Sequence, residues 1–543
     1  MRQLVAIFAV LLGASALPAV AQKSCAELAT LKLEHTTVSV QPVAAGGFTV
    51  PAGAQDSPDS AGYTSVPAFC RVMADIRPSK DSDIKVEVWM PAAGWNGKFQ
   101  GQGNGGFAGS IGYRALAAGV SRGYATAATD TGHRGEATDA SWSLGHPEKI
   151  VDFGYRGIHE MSEKAKAVIT AFYGKPPHHA YFSSCSDGGR EGLMEAQRFP
   201  DDYDGIVAGA PANFWTHLLA AAAWNSQATL ADSASYISFA KLPAVSAAAV
   251  ASCDALDGLV DGIISEPMQC HFDPAQLKCS GPESDSCLTE PQIIALKKIY
   301  AGPQASTGER IFPGYMPGGE LGPGGWRPWI TGAAPGQSLQ LAFGAHFFGD
   351  MVFGDAGWDF RKFSLDQDTK LADTKMAATL NATDPALRGF QKRGGKLILY
   401  HGWSDAAISP LNSIAYYQSL VAGMGSTTKD FARLFMAPGL QHCTLGPGPN
   451  SFGQTLLGPP GDAEHDISSA LERWVEKGVA PEKIVATKYQ NDSDPGQGVR
   501  MTRPLCPYPQ VAAYDGTGNP NDAASFICAE SDKQKGPPGG QKR

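Results

Sequence analysis

Tyr181-Phe182-Ser183-Ser184-Cys185-Ser186-Asp187-Gly188-Gly189 sets a serine between a short apolar run and the small residues that open a helix. A nucleophile elbow has this form: the serine sits on a sharp, strained turn from strand to helix, so its neighbours must be small. The usual pattern is G-x-S-x-G, and Ser184 stands where the first glycine would be. A serine that merely caps a helix has the same look, so the surrounding chain must decide. Working outward, Tyr124–Thr129 and Ala180–Phe182 read as short strands. Between them a helix is predicted at about Tyr155–Tyr173, where Ile158, Met161, Ala165, Val168 and Phe172 recur at helical spacing. A further helix from about Gly189 completes the strand–helix alternation of a parallel sheet. Upstream, Asp83–Met90 alternates polar and apolar residues as a half-buried strand does, and Lys98-Phe99-Gln100 leads into a glycine-rich loop, Gly101–Gly109.

Between residues 212 and 382 the rhythm breaks into Trp/Phe-rich, glycine-broken blocks. It returns at Lys396–Tyr400 and Phe431–Ala437, followed by a helix at about Ser468–Lys477. One open α/β domain, residues 22–211 and 383–530, interrupted by an insertion over 212–382, explains this better than two domains in series. Asp405 follows the first returning strand and His442 the second. Serine, acid and histidine in that chain order are what an α/β-hydrolase supplies from successive strand ends. The base must take the Ser186 proton, and the carboxylate must fix the imidazole tautomer. A turn aspartate and a core histidine are the alternatives. Gly101, Gly103 and Gly106 match G-x-G-x-x-G, but no helix clearly opens at Gly106, so a dinucleotide site is not expected. A hydrolase needs a loop here to bring a second oxyanion N–H close to the substrate. His159-Glu160 begins like a zinc-protease helix but lacks the second histidine.

The composition suits a globular chain: 543 residues, 43% hydrophobic and 18% charged. The net charge is −9 and Lys/Arg do not cluster, so no nucleic-acid partner is expected. Arg2, the apolar run Leu4–Leu17 and Ala19-Val20-Ala21 read as a secretory signal peptide over residues 1–21, too short for a membrane anchor. The expected product is exported, periplasmic or extracellular, without a membrane partner. Ten cysteines in an exported chain predict five disulfides. Close spacing invites Cys253–Cys270, Cys279–Cys287 and Cys506–Cys528, and leaves Cys25, Cys70, Cys185 and Cys443. Residues 531–543 are polar and rich in Pro and Gly, a tail expected to be disordered.

Cys185-Ser186-x-Gly-Gly with Arg190-Glu191-Gly192, GWSDAAISP after KLILYH, and PGLQHC together resemble the tannase and feruloyl esterase family. So do WNGKF, RFPDDYDGIVAGAPA and TRPLCPYPQ, and the similarity runs from about Cys25 to Cys528. The resemblance implies an α/β-hydrolase fold with a large lid domain inserted between nucleophile and acid. It implies Ser186 as nucleophile, His442 as base, Asp405 as orienter, and the backbone N–H groups of Gly106 and Asp187 as oxyanion donors. It also implies a Cys185–Cys443 bridge, and the expected set then includes Cys25–Cys70.

Asp254, Asp257 and Asp261 concentrate acid between Cys253 and Ile263 without the every-second-residue spacing of an EF-hand. Spacing alone allows a solvated acidic turn. The resemblance implies a structural calcium site in the lid, held by these three carboxylates and the carbonyls of Leu259 and Ile263. Trp326, Trp329, Phe343, Phe347, Phe348 and Phe353 are candidates to stack on an aromatic acyl group, Trp329 first. Family members that take terephthalate half-esters clamp the free carboxylate with an arginine; by register between WRPW and MVF, that position is Gln340. The expected function is a serine esterase on small esters of phenolic acids, feruloyl (hydroxycinnamoyl) before galloyl before terephthalate half-esters. The alternative from another class is a catalytically inactive, calcium-bound carbohydrate-binding or surface protein.

Overall fold

The computed structural model describes residues 22–52, 54, 62–455 and 461–531. The signal-peptide reading and all but Ser531 of the predicted tail lie outside these residues. Nine strands form one mixed sheet: β1 (Thr36–Val43), β2 (Phe69–Ile76), β3 (Ile84–Pro91), β4 (Lys98–Gln102), β5 (Ala125–Thr129), β6 (His179–Cys185), β7 (Gly205–Gly209), β8 (Lys396–Gly402) and β9 (Ala432–Ala437). Their order is β1-β2-β3-β5-β4-β6-β7-β8-β9. Pairing is antiparallel through β3/β5 and parallel from β5/β4 to β8/β9. This is the α/β-hydrolase architecture expected from the elbow and the strands around it.

The parallel strands are covered on both faces, which is why β5 (ATAAT), β7 (GIVAG) and β8 (KLILYHG) read as unbroken small or apolar runs. Successive β8 side chains go to opposite sides. Leu397 and Leu399 join Ile158, Met161 and Val168 of the helix Gly157–Tyr173, while Ile398 and Tyr400 join Leu471 and Trp474 of the helix Ile467–Lys477. Gly209 is required on β7, since a Cβ there would lie 2.1 Å from the Tyr400 ring.

Between β7 and β8 the chain builds a lid of helices, among them Trp215–Leu230, Leu242–Cys253, Glu290–Ala301 and Leu339–His346. Apart from isolated bridges, the described lid residues form no strand. Entry and exit run side by side, with the Ala382 N–H donating to the Asn213 carbonyl at 2.8 Å. The stretch Ser233–Asp257 is long and apolar enough to cross a bilayer, which the sequence reading missed. Here Leu242, Val245, Ala249 and Cys253 are buried in the lid.

Beyond β9 the structure holds four strands that were not predicted: β10 (Ile484–Tyr489) with β11 (Val499–Leu505), and β12 (Gln510–Tyr514) with β13 (Phe526–Glu530). Cys506 and Cys528 tie this region together, and the other bridges are Cys25–Cys70, Cys185–Cys443, Cys253–Cys270 and Cys279–Cys287. All five expected pairings are present and leave no free cysteine, a content that fits an oxidising compartment.

Candidate active site

Ser186 lies between the end of β6 and the helix Asp187–Arg198, with φ 67° and ψ −124°. A serine in this left-handed, strained conformation is held there by its surroundings. Those surroundings must be small. A Cβ on Gly188 would lie 1.9 Å from Ser184 Oγ, and one on Gly189 would lie 2.5 Å from the Gly209 carbonyl. Ser184 can therefore replace the usual glycine because Gly188 faces it. The helix begins at Asp187, two residues before the predicted start.

Ser186 Oγ lies 2.9 Å from His442 Nε2, and His442 Nδ1 lies 2.8 Å from Asp405 Oδ2. Three residues from distant parts of the chain thus form one hydrogen-bonded line. Asp405 is fully buried, and its other oxygen accepts the backbone N–H groups of Ala407 (2.7 Å) and Ile408 (3.0 Å). Burial alone would push this carboxyl up. The charge of His442 and hydrogen bonds from His401 and His442 overcome that and hold it well below the usual carboxylate range. It therefore stays an anion, as an orienter of the imidazole must. The Cys185–Cys443 bridge joins the residue before the serine to the residue after the histidine, with Cα atoms 6.0 Å apart.

The glycine loop after β4 is docked on the serine's helix. The Asn104 N–H donates to Glu191 Oε2 (2.8 Å), and the Gly188 N–H donates to the Asn104 carbonyl (2.8 Å). A Cβ on Gly103 would strike Glu191, and Gly106, at φ +59°, has no room for one beside the Ala137 carbonyl. Gly106, Ser186 and Asp187 line the same cleft. The Gly106 N–H has no partner among the described residues. Asp187 is the first helical residue, so its N–H has no intrahelical acceptor. The Asp187 side chain points elsewhere, to Arg190 Nε at 2.5 Å.

Trp329, Phe343, Trp215, Leu218, Leu219, Ala222, Ala407 and Ile408 make the cleft almost wholly apolar. Trp329 packs edge-on to the His442 ring, with centroids 5.0 Å apart, and stacks on Phe343. The aromatic set is otherwise corrected. Trp326, Phe347 and Phe348 are fully buried in lid cores, and Phe353, partly exposed, packs on Trp358. Helix periodicity and aromatic content do not distinguish a core ring from a wall ring, and Trp215 and the adjacent leucines were missed for the same reason. Gln340 does line the cleft, but its amide is committed. It donates to Tyr315 Oη (2.6 Å) and the Ala406 carbonyl (3.2 Å), and accepts from Asn225 Nδ2 (2.9 Å).

In the lid loop the Asp254 carboxylate accepts the N–H groups of Gly262 and Ile263, Asp257 accepts that of Leu259, and Asp261 pairs with Arg503. Burial, together with the negative charges of Asp261 and Asp254, pushes the Asp257 carboxyl up, against the bonds from Leu259 and Ser265. No hydrogen bond to the Leu259 or Ile263 carbonyl occurs among the described residues. Carboxylates within charge range of one another beside unbonded carbonyls are oxygen donors of the kind a hard divalent cation takes, although the three carboxylates do not converge on one point and Asp261 is paired with Arg503.

A profile of the family described as tannase and feruloyl esterase matches residues 70–529. The chain is 45% identical to an uncharacterized esterase of Xanthomonas campestris pv. campestris, over 98% of this chain and 94% of that one. It is 36% identical to the mono(2-hydroxyethyl) terephthalate hydrolase of Piscinibacter sakaiensis, over 90% and 89% of the two chains. The crystal structure of feruloyl esterase B from Aspergillus oryzae superposes with a TM-score of 0.85 at 30% identity, covering 93% of this chain and 99% of that one. With its elbow, its serine–histidine–aspartate line and its helical lid in place, the chain belongs to the tannase and feruloyl esterase family of carboxylic ester hydrolases.

Proposed function

We propose that this ester hydrolase cleaves esters of aromatic acids through an acyl-enzyme on Ser186, with feruloyl-type (hydroxycinnamoyl) esters as its substrates. The observation that carries the proposal is His442, bridging Ser186 Oγ and the Asp405 carboxylate at the mouth of an apolar cleft. His442 Nε2 takes the Ser186 proton as Oγ attacks the ester carbonyl, while Asp405 holds the Nδ1 proton and stabilises the imidazolium. The N–H groups of Gly106 and Asp187 receive the oxyanion. His442 then protonates the departing alcohol, and water releases the aromatic acid by the same steps in reverse. A planar acyl group in this cleft would meet mostly hydrocarbon, from Trp329, Phe343, Leu218, Leu219 and Ile408.

The cleft's polarity ranks the acyl groups. Gln340 spends both of its N–H groups on Tyr315 and Ala406 and so has no free donor for a substrate, and no cation lines the cleft among the described residues. A galloyl ring would leave its hydroxyls unpaired, and a terephthalate carboxylate would be buried without a partner. Galloyl esters therefore come second and terephthalate half-esters third. Calcium held by Asp254, Asp257, Asp261 and the Leu259 and Ile263 carbonyls would order the lid; it takes no part in the chemistry. Export through a signal peptide at residues 1–21 accords with the five disulfides.

The test is a comparison of kcat/KM on methyl ferulate, methyl gallate and the terephthalate half-ester. Methyl ferulate should lead. A larger kcat/KM for the half-ester would overturn the ranking.

A further inference from the structure

We infer that His401 is a positioning residue for the acid of the triad: its Nε2–H fixes the Asp405 oxygen that orients His442. The inference rests on the serine-esterase reading above. His401 lies near the C-terminal end of β8, is fully buried and does not line the cleft. Its Nε2 is 3.1 Å from Asp405 Oδ2 and 3.1 Å from the Ile408 carbonyl. Both of these are acceptors, the first because Asp405 is held as an anion, so Nε2 must carry a proton. Nδ1 lies 2.7 Å from Ser413 Oγ, whose hydroxyl can donate to it. Every atom of a neutral, Nε2-protonated imidazole is thereby matched, and the ring has one orientation.

The Asp405 carboxylate is then surrounded by donors. Oδ1 takes the N–H groups of Ala407 and Ile408, and Oδ2 takes one imidazole from each side, His442 at 2.8 Å and His401 at 3.1 Å. A carboxylate bonded at both oxygens cannot turn away when His442 swings between Ser186 and the leaving group. His401 also withdraws charge from Oδ2, so the oxygen attracts the His442 proton without taking it. The Ile408 contact adds a third tie, because that carbonyl belongs to the turn that brings the Ile408 side chain to the cleft. A histidine needed only to fill the core would have no reason to share an oxygen with the catalytic one.

Kinetics of p-nitrophenyl acetate hydrolysis across a range of pH test this in wild type, His401→Leu, His401→Gln and Ser413→Ala. Without the donor, Asp405 is free to turn, and His401→Leu should lose roughly 10- to 100-fold in kcat, the scale of a small misplacement. Oδ2 would also face His442 with more charge, so the imidazolium is held more firmly and the acid limb of the kcat/KM profile should move to higher pH. His401→Gln keeps an N–H donor on a chain of similar reach. It should recover most of kcat and bring the acid limb back. Ser413→Ala, which frees the ring to turn, should show a milder loss with the limb displaced the same way.

His401→Leu with wild-type kcat would overturn the inference. So would equal losses in the Leu and Gln variants with the acid limb unmoved, since that is what a packing role gives. If His401→Leu does not fold, the acid limbs of His401→Gln and Ser413→Ala decide by the same criteria. Labelling wild type with a neutral phosphonate and mapping the modified peptide keeps the two readings apart. A label away from Ser186 removes the triad itself, whereas a label on Ser186 with unaltered His401 variants removes only this inference.

Discussion

At Ser186, His442 and Asp405 the geometry makes three side chains one hydrogen-bonded unit, and with the roles proposed for them their loss should not be additive. Ser186→Ala should lower kcat by about 10⁴-fold or more, with His442→Ala close behind and the double variant little worse. Asp405→Asn should fall in the same range, since the amide would favour the wrong imidazole tautomer. A Ser186→Ala enzyme that keeps a tenth of wild-type activity on p-nitrophenyl acetate would dismiss the assignment. Gln340 changes character once its partners are seen. The sequence register made it an open seat for a carboxylate-binding cation, but its amide is built into a network with Asn225, Tyr315 and Ala406. Gln340→Arg should therefore cost about 3 kcal/mol or more of stability, the scale of a buried charge left alone. Added terephthalate should restore part of the lost Tm, as a ligand that neutralises the charge would. Calorimetry with and without terephthalate checks both statements.

Among the elements, the helix Asp187–Arg198 is unusual in how much ionisable mass it buries: Asp187, Arg190, Glu191 and Glu195 are all at most 1% exposed. Burial and the adjacent Asp187 charge push the Glu191 carboxyl up to about 8, and burial pushes Asp130 up to about 7. Glu195 is raised as well, by burial and by the charge of Asp202. A carboxyl raised in the folded state keeps a proton that the unfolded chain gives up. The unfolded state thus binds fewer protons between the ordinary carboxyl range and about pH 8, and stability falls as pH rises through that window. Asp405 has the opposite sign, its contribution being present above the ordinary range and lost on strong acidification. Glu191→Gln leaves an acceptor for the Asn104 N–H and removes one titration, so Tm should decline less steeply between about pH 5 and 8. An unchanged slope would mean that Glu191 is ionised in the fold. The bridge Cys185–Cys443 works between elements, tying the elbow to the histidine loop across 258 positions. Replacing both cysteines by alanine should remove roughly 5 kcal/mol in the chain-entropy picture. It should also depress kcat more than deletion of any other bridge at temperatures where the fold persists.

For the molecule as a whole, the lid is the part whose order depends on more than the main sheet. It has its own core around Leu296, Ile299, Tyr315 and Trp326, and it carries the acidic loop at Asp254–Asp261. With calcium bound as proposed at the acidic loop, excess chelator should lower Tm relative to excess calcium, by mass action on ligands brought together only in the fold. Acetate-ester turnover should survive wherever the protein stays folded, because no proposed ligand lines the cleft at Ser186. Identical melting curves in chelator and in calcium would mean that no calcium binds there.

Ser186, Asp405 and His442 were legible because an elbow demands small neighbours and because the fold delivers acid and base after later strands. Both constraints are local, written into a few adjacent residues. Buried parallel strands announce themselves by unbroken apolar runs such as KLILY, so most of the main sheet could be read as well. The strands β10 to β13 could not, since these short antiparallel pairs mix buried and exposed residues without the alternation or the unbroken apolar run that sets a strand apart from a loop. Nor could the sequence separate Trp329 and Phe343, which face the cleft, from Trp326, Phe347 and Phe348, which fill cores, because burial and wall-lining favour the same rings. The sequence by itself determined which residues can do the chemistry and in what order the fold brings them. Only the tertiary structure decided what surrounds them: that Gln340 is spoken for, that His401 shares an oxygen with His442, and that Glu191 holds the glycine loop. The His401–Asp405 bond spans only four positions, but the others join segments 25 to 115 positions apart, and the packing that makes them has no signature in any single stretch.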